Sequence, residues 1–258
     1  EEAIPVAQKR RPAHFAFPEE AKPLSEAVVG VIEAIEADII RGVLLPGIRM
    51  IEDHLMEDYG AKRHTVRAAL EELERLGVVE KPRHHGAQLR RFSEAAIRDL
   101  YSVRETLHRA AVRAMVEHHS HDLAKVRFWF DRHSDAARQD DVVAIHRSNM
   151  MFHASLFELS RNPFLTSTIR TYDWISFPIR AYGVSDKDAL HRACSEHAQM
   201  IECLEAGRYD ELELLTVDHM AQARALYALA EGLDLAYLHR RILEESGNPA
   251  HLGLSGKS

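Results

Sequence analysis

Cysteine and long apolar segments are almost absent from this sequence. The two cysteines, Cys194 and Cys203, are nine residues apart on one predicted helix. They therefore face opposite sides of that helix and cannot form a disulfide, which excludes a disulfide-stabilised fold. No segment approaches the ~20 consecutive apolar residues that a membrane-spanning helix needs, so we expect no membrane partner. The first residues show no signal-peptide pattern, which favours a cytoplasmic protein.

Basic residues are outnumbered over the whole chain, and the formal net charge of −7 argues against a nucleic-acid partner. The charge is unevenly distributed, however. Residues 41–92 contain ten Lys and Arg against eight Asp and Glu, whereas residues 93–258 contain 19 against 24. A local basic face is sufficient for phosphate binding even in an acidic protein. The change in charge near residue 92 predicts a domain boundary, and the chain length suggests about two domains.

Strand-forming patterns are rare and occur only before this boundary. Apolar spacing predicts three helices and a short hairpin there, which together make a winged helix-turn-helix, at residues 25–41, 52–59, 62–76, 78–79 and 88–90. After the boundary, helical spacing and short loops predict an antiparallel all-α bundle. Its first predicted helix begins at residue 93, and the other predicted helices cover residues 122–138, 141–160, 163–181, 185–207, 209–230 and 233–245.

The predicted fold class is therefore mainly α, with two folded domains between two irregular ends. Residues 1–22 are proline-rich and lack apolar periodicity, so we expect a flexible arm. The winged helix-turn-helix covers residues 23–92 and the all-α bundle covers residues 93–246. Residues 247–258 are expected to form a mobile tail.

The pattern most typical of DNA binding lies within residues 61–92. One face of the predicted helix is apolar, whereas Arg63, Arg67 and Arg75 lie outside that face. Gly77 is placed to end the helix, because glycine adopts the left-handed conformation at low cost. A helix with basic residues near its start, followed by a basic hairpin, fits a DNA major groove and the groove beside it. An ordinary surface helix and hairpin is the alternative interpretation.

The bundle contains a candidate metal-binding constellation. Asn149 and His153 are four residues apart, so they share one face of a predicted helix. His197 and His219 lie on two later helices. Packed helices can bring such side chains to one interior point, where imidazole is a common metal ligand. Histidines satisfied within the core are the alternative, and 17 histidines in the chain make chance patterns common.

The segment "GVLLPGIRMIEDHLMEDYGAKRHTVRAALEELERLGVVEKPRHHGAQL" resembles the DNA-binding domain of the GntR family of bacterial transcription regulators. The matching positions are Gly42, the Leu45-Pro46-Gly47 turn, Leu55, the Arg63-x-x-Val66-Arg67-x-Ala69-Leu70 core, Leu73, Gly77 and Gly86. The resemblance implies that DNA is contacted by Arg49, Lys62, Arg63, Thr65, Arg67, His85 and Gly86, with the arginines at 49, 63 and 67 dominant. Lys62 and His85 depart from the family pattern, which usually has a small hydroxyl residue and a wing arginine there.

The segments "NMMFHASLFELSRNPFL" and "EHAQMIECLEAGRYDELELLTVDHM" resemble the two signature segments of the FCD domain, the effector-binding bundle of the FadR-like branch. The resemblance implies one divalent ion, with zinc expected first and nickel or manganese as alternatives, held by Asn149, His153, His197 and His219. Asn149 replaces an aspartate, so the ion would keep its full charge and favour an anionic effector. His146 and, less strongly, Cys194 are alternative ligands.

The segment "YSVRETLHRAAVRA" carries Arg104, at a position where the family has an arginine that commonly faces the effector. A cavity arginine would bind a carboxylate through two hydrogen bonds, whereas an exposed helix charge is the alternative. Tyr101 is a second candidate for effector binding. Arg180, Tyr172 and Trp174 are further residues that could line the pocket.

These patterns predict a ligand-responsive bacterial transcription regulator that is not an enzyme. We expect a homodimer that binds a palindromic operator, more often as a repressor than as an activator, and that senses a small carboxylate at a divalent-metal site. A metal-dependent hydrolase using the same histidines is the alternative. The chain lacks a His-Glu-x-x-His helix, and no carboxylate stands at a telling offset from the ligands.

Overall fold

The computed structural model describes residues 24–83, 86–118, 122–184 and 187–232. The predicted arm, the predicted helix over residues 233–245, the tail and the wing residue His85 lie outside the described residues. None of the described helices is long and apolar enough to cross a lipid bilayer.

The first domain has three helices followed by a two-stranded wing. The elements are α1 (Glu26–Ile40), α2 (Glu52–Asp58), α3 (Arg63–Arg75), β1 (Val79–Glu80) and β2 (Gln88–Leu89). The strands are antiparallel, and Val79 pairs with Leu89. Arg49 forms an isolated bridge with Gln88, so the extended piece before α2 extends the wing. The predicted winged helix-turn-helix is confirmed.

Local sequence explains where these helices begin and end. The Ser25 hydroxyl accepts a hydrogen bond from the Val28 amide and caps α1. Gly77 follows α3 with a φ of 80°, and the Val78 amide donates to the Leu73 carbonyl. This geometry ends the helix, and it suits glycine because positive φ is costly for other residues.

The second domain is an antiparallel helical bundle. Its helices are α4 (Glu94–Val116), α5 (Ala124–Arg138), α6 (Val142–Glu158), α7 (Pro163–Ile175), α8 (Phe177–Arg180), α9 (Lys187–Ala206) and α10 (Tyr209–Ala230), with a 3₁₀ turn at Ala181–Val184 between α8 and α9. The apolar faces of α4, α5, α6, α7, α9 and α10 contribute to one buried cluster in the centre of the bundle. The mainly α fold class is confirmed.

One predicted helix is divided in the structure. A single helix over residues 163–181 was expected, but α7 ends at Ile175 and α8 starts at Phe177. Pro178 has no N–H group with which to continue the hydrogen bonds of α7, so it occupies the first turn of a new helix, where no such donor is needed. At the break, the Ser176 hydroxyl is within hydrogen-bond distance of the Tyr172 carbonyl at 2.8 Å and the Asp173 carbonyl at 3.2 Å.

The two domains pack directly against each other. Trp174, Phe177 and Ala181 of the bundle belong to the same apolar cluster as the core of the first domain. Arg147 of α6 donates to the buried carboxylate of Glu36 in α1 at 3.3 Å. Movement of the segment around α8 would therefore displace side chains that pack in the core of the winged helix-turn-helix.

Candidate metal centre, effector cavity and DNA-binding surface

Two arginines of α3 form an exposed basic face. The side chains of Arg63 and Arg67 are 48% and 58% exposed, which allows contact with DNA. Both are paired with acidic residues of α2: Arg67 donates from Nε to Glu52 at 2.9 Å, and Arg63 contacts Glu52 and Asp53. Exposed ion pairs are weak, so phosphates or base edges can replace these carboxylates. In the absence of DNA, the ion pairs with Glu52 hold both guanidinium groups near the start of α3.

Arg49 and Gly86 form the adjoining part of this surface. Arg49 is exposed, and its Nη2 atom lies 3.9 Å from the position that a Cβ on Gly86 would occupy. Gly86 has a φ of 72°, which glycine adopts easily. Lys62 is exposed at the start of α3, next to the two α3 arginines.

Thr65 does not share this exposure. It is only 6% exposed because it lies one turn before Ala69, on the side of α3 that packs into the core. Thr65 was expected on the DNA-facing surface, but it lies on the side of α3 that faces the core of the first domain.

Three histidines from three helices meet inside the bundle. The Nε2 atom of His153 in α6 lies 3.2 Å from that of His197 in α9 and 3.0 Å from that of His219 in α10. The third Nε2 pair, between His197 and His219, is 3.3 Å apart. Ligands about 2.1 Å from a metal ion are separated by about 3.0 Å in octahedral and about 3.4 Å in tetrahedral coordination. The triangle of nitrogens therefore fits three ligands of one divalent ion.

The protonation of these rings also fits a cation. Burial lowers the pKa of His153 and of His197 well below 6.5, so both rings are neutral at pH 7. A neutral ring has one N–H group, which can point at only one of the two neighbouring nitrogens at a time. A cation would instead bind the lone pairs of all three nitrogens.

Glu196 supports the third histidine. Its Oε2 atom accepts a hydrogen bond from Nδ1 of His219 at 2.5 Å. This contact places the proton of His219 on Nδ1 and leaves Nε2 free as a ligand, an arrangement typical of histidines in metal sites. Sequence reasoning missed Glu196, because its relation to His219 depends on the pairing of α9 with α10.

The remaining ligand candidates differ in their positions. Asn149 lines the cavity beside His153 and His219, and its buried Oδ1 atom has no hydrogen-bond partner among the described residues. Neither His146 nor Cys194 belongs to the cluster that His153, His197 and His219 form. The His146 ring instead packs edge-on against Phe177, with ring centroids 4.9 Å apart.

A cavity of about 80 Å³ adjoins the histidines. Tyr101 and Arg104 of α4 and Arg180 of α8 line it, as does His108. Arg104 is 4% exposed, which rules out the exposed helix charge that was its alternative interpretation. Tyr172 and Trp174 are absent from its lining, and Trp174 packs towards the first domain instead.

Buried ion pairs hold the cavity arginines. Nη2 of Arg104 and Nη1 of Arg180 both donate to the same Oδ1 atom of Asp173, at 2.8 and 3.0 Å. His108 follows Arg104 by one turn of α4 and lines the same cavity. Burial, followed by the charge of Arg104, lowers the pKa of His108 to about 3, so it is neutral at pH 7.

Comparison with known families matches both domains. Residues 28–88 match the family described as "Bacterial regulatory proteins, gntR family", and residues 99–222 match the FCD domain. The chain belongs to the GntR family and carries an FCD domain. It is a GntR-family transcriptional regulator.

Individual GntR relatives agree with this assignment. A protein of Paenarthrobacter nicotinovorans named "Probable D-xylose utilization operon transcriptional repressor" is 25% identical over 74% of this chain and 84% of its own length. Among solved structures, E. coli McbR/YncC has a TM-score of 0.63 and 19% identity, covering 85% of this chain and 100% of that one. A regulator described as GntR from Rhodococcus sp. RHA1 has a TM-score of 0.62 and 20% identity, covering 80% and 99%. The two structures support the fold alone.

Within this FCD domain, the structure brings together most of the residues that the sequence singled out. His153, His197 and His219 form one cluster. Asn149, Arg104 and Tyr101 line the cavity beside it. Sequence reasoning missed Asp173, which joins the two arginines, and it did not place Arg180.

Proposed function

We propose that this GntR-family regulator is a homodimeric repressor that binds a palindromic operator and senses a small carboxylate at a divalent-metal site in its FCD domain. The observation that carries the proposal is the triangle of Nε2 atoms next to a cavity lined by buried arginines. The ligands would be His153, His197 and His219, with the Asn149 oxygen as the fourth. The ion, expected to be zinc, would supply positive charge and an open coordination position for the effector.

The segment around α8 supports a link between effector and DNA. Arg180 lines the cavity, whereas Phe177, three residues before it, packs into the core of the winged helix-turn-helix. An effector that moves Arg180 would therefore shift Phe177 against the DNA-binding domain. Such a shift would change the population of dimer arrangements and so the affinity for the operator. Two-fold symmetry of the dimer would be matched by a palindromic site.

The metal site is tested by stripping the purified protein with a chelator and titrating zinc. We expect about one zinc per chain and a higher melting temperature, because an ion that binds only the folded state stabilises it. The double variant His153→Ala/His197→Ala should lose both effects. His191→Ala is the matched control, because His191 is exposed on the same helix as His197. Zinc binding that survives in the double variant would refute the site.

The hydrolase alternative gains no support from the comparisons, since the matched families and relatives are regulators. Glu196 lines the cavity and is a candidate general base, but its Oε2 atom accepts a hydrogen bond from Nδ1 of His219. Turnover of a carboxylate ester or phosphate ester by the zinc-loaded protein would revive this alternative.

A further inference from the structure

We propose that the effector is a dicarboxylic acid, with one carboxylate on the metal ion and the other bound by Arg104 and Arg180. This inference rests on the metal-binding effector site proposed above, and it specifies the class of molecule that the site selects. It follows from three features of the cavity: a shared counterion, unused hydrogen-bond donors and the balance of buried charge.

The first feature is the shared counterion of the two arginines. Arg104 and Arg180 are 4% and 9% exposed, and both donate to a single oxygen of Asp173. Asp173 is itself buried. Two buried cations thus share one anion, although buried charges are normally paired. The second positive charge remains available to a ligand.

The second feature is a set of donors without acceptors. Nε of Arg104, Nε and Nη2 of Arg180 and the Tyr101 hydroxyl are buried, and none has a hydrogen-bond partner in the described part of the chain. All three residues line the cavity. A buried donor left without an acceptor is costly, and a carboxylate accepts several such bonds at once. This end of the cavity therefore has the chemistry of a carboxylate site.

The third feature is the balance of charge when an ion is bound. The three imidazoles contribute none, because a nitrogen that donates its lone pair to the ion carries no proton. Glu196 offsets half of the charge of a divalent ion, and Asp173 offsets one of the two arginines. The remaining charge is two positive units. Arg224, which lies against Tyr101 with its guanidinium carbon 5.2 Å from the ring centre, has its own counterion in Glu105 at 3.7 Å. A doubly negative ligand would neutralise the site, whereas a monocarboxylate would leave one buried charge unpaired.

The two positive regions can be reached by one small molecule. His153, His219 and the two arginines line the same cavity, as does His108, which follows Arg104 by one turn of α4. The cavity volume of about 80 Å³ exceeds the ~10–15 Å³ that admits a single water, so several non-hydrogen atoms fit. A diacid has a carboxylate at each end and can contact both regions at once, whereas a compact dianion such as phosphate presents its charge at one point.

The test compares diacids with their monoamides on the zinc-loaded full-length protein. Malonate, succinate and glutarate are titrated by calorimetry at pH 7.5 beside malonamate, succinamate and glutaramate, with inorganic phosphate as the compact dianion. Each monoamide has nearly the shape of its diacid and one charge fewer. For the diacid of the right length, we expect binding at least about tenfold tighter than that of its monoamide, the effect of losing a charge-assisted hydrogen-bonded group.

The outcomes separate this inference from the proposed function. Equal affinity for a diacid and its monoamide, or tighter binding of phosphate than of any diacid, would overturn the two-ended site and leave the metal site standing. If none of these acids binds the zinc-loaded protein, the effector proposal fails as well.

Arginine variants identify the second carboxylate site. Arg180→Gln should still bind zinc but should bring the ratio of diacid to monoamide affinity close to one. Arg113→Gln is the control, because Arg113 lies on α4 with a side chain that is 71% exposed. An unchanged ratio in Arg180→Gln would overturn the role of that residue.

Discussion

A single methyl group added at Gly77 would test whether the DNA-binding domain is docked on the bundle. Gly77 ends α3, and a Cβ built on it would lie 2.9 Å from Cγ1 of Ile175 in α7, closer than such atoms pack in proteins. Its φ of 80° adds the strain of a left-handed alanine. Gly42 shares the φ strain, with a φ of 73°, but a Cβ there would have no neighbour within 4 Å.

The difference between the two alanine variants isolates the contact between the domains. Gly42→Ala should lower the free energy of unfolding by about 1 kcal/mol, because the left-handed conformation costs roughly that much. Gly77→Ala carries the same strain plus the forced contact, so we expect about 2–4 kcal/mol in total. Guanidinium unfolding followed by circular dichroism measures both values.

Shortening the Ile175 side chain should restore part of the stability that Gly77→Ala loses. In the background of Ile175→Ala, the substitution Gly77→Ala should cost no more than Gly42→Ala, so the double-mutant cycle gives a clear coupling between the two positions. If Gly77→Ala and Gly42→Ala destabilise equally in the unaltered background, Ile175 moves aside freely. The reasoning that the domains are tightly packed at this point would then be refuted.

Two further predictions concern DNA affinity and pH. Arg63→Ala or Arg67→Ala should weaken operator binding by ~1–3 kcal/mol in gel-shift titrations, whereas Arg75→Ala, at the far end of α3, should not; equal affinities in all three would contradict the assigned DNA face. Burial raises the pKa of Glu36 to about 7, partly opposed by Arg147. Because the folded state then holds a proton that the unfolded chain releases near pH 4.5, the contribution of Glu36 to stability falls as the pH rises from about 4.5 to about 7. The buried histidines with lowered pKa values act in the opposite direction, so the test is the difference between two proteins. Relative to the unaltered protein, Glu36→Gln should gain stability over this pH range in thermal melts, and a difference that stays constant with pH would contradict the raised pKa of Glu36.

Local patterns were sufficient to predict the winged helix-turn-helix and most of the bundle. Apolar spacing located α1 and α3, Ser25 marked a helix start and Gly77 a helix end. The break at Ser176 was missed because helical periodicity continues across it. Pro178 was the available signal, since proline belongs at the start of a helix rather than in its interior.

The candidate site was predictable only in part, because its geometry depends on tertiary packing. The four-residue spacing of Asn149 and His153 placed both on one face, and the family resemblance joined them with His197 and His219 in one ligand set. The contact of Glu196 with His219 and the sharing of Asp173 by two arginines join residues from different helices or helix segments. No periodicity within one helix could indicate them.

The three imidazoles have a consequence for the choice of ion in the cell. Nitrogen donors favour zinc, nickel and copper, whereas magnesium and calcium prefer oxygen donors. With an amide in place of the aspartate at position 149, the candidate ligand set lacks the carboxylate that would attract an alkaline-earth ion. Magnesium, although abundant, would therefore compete poorly for this site. The fraction of the protein with a bound ion would depend on the concentrations of the scarcer transition metals.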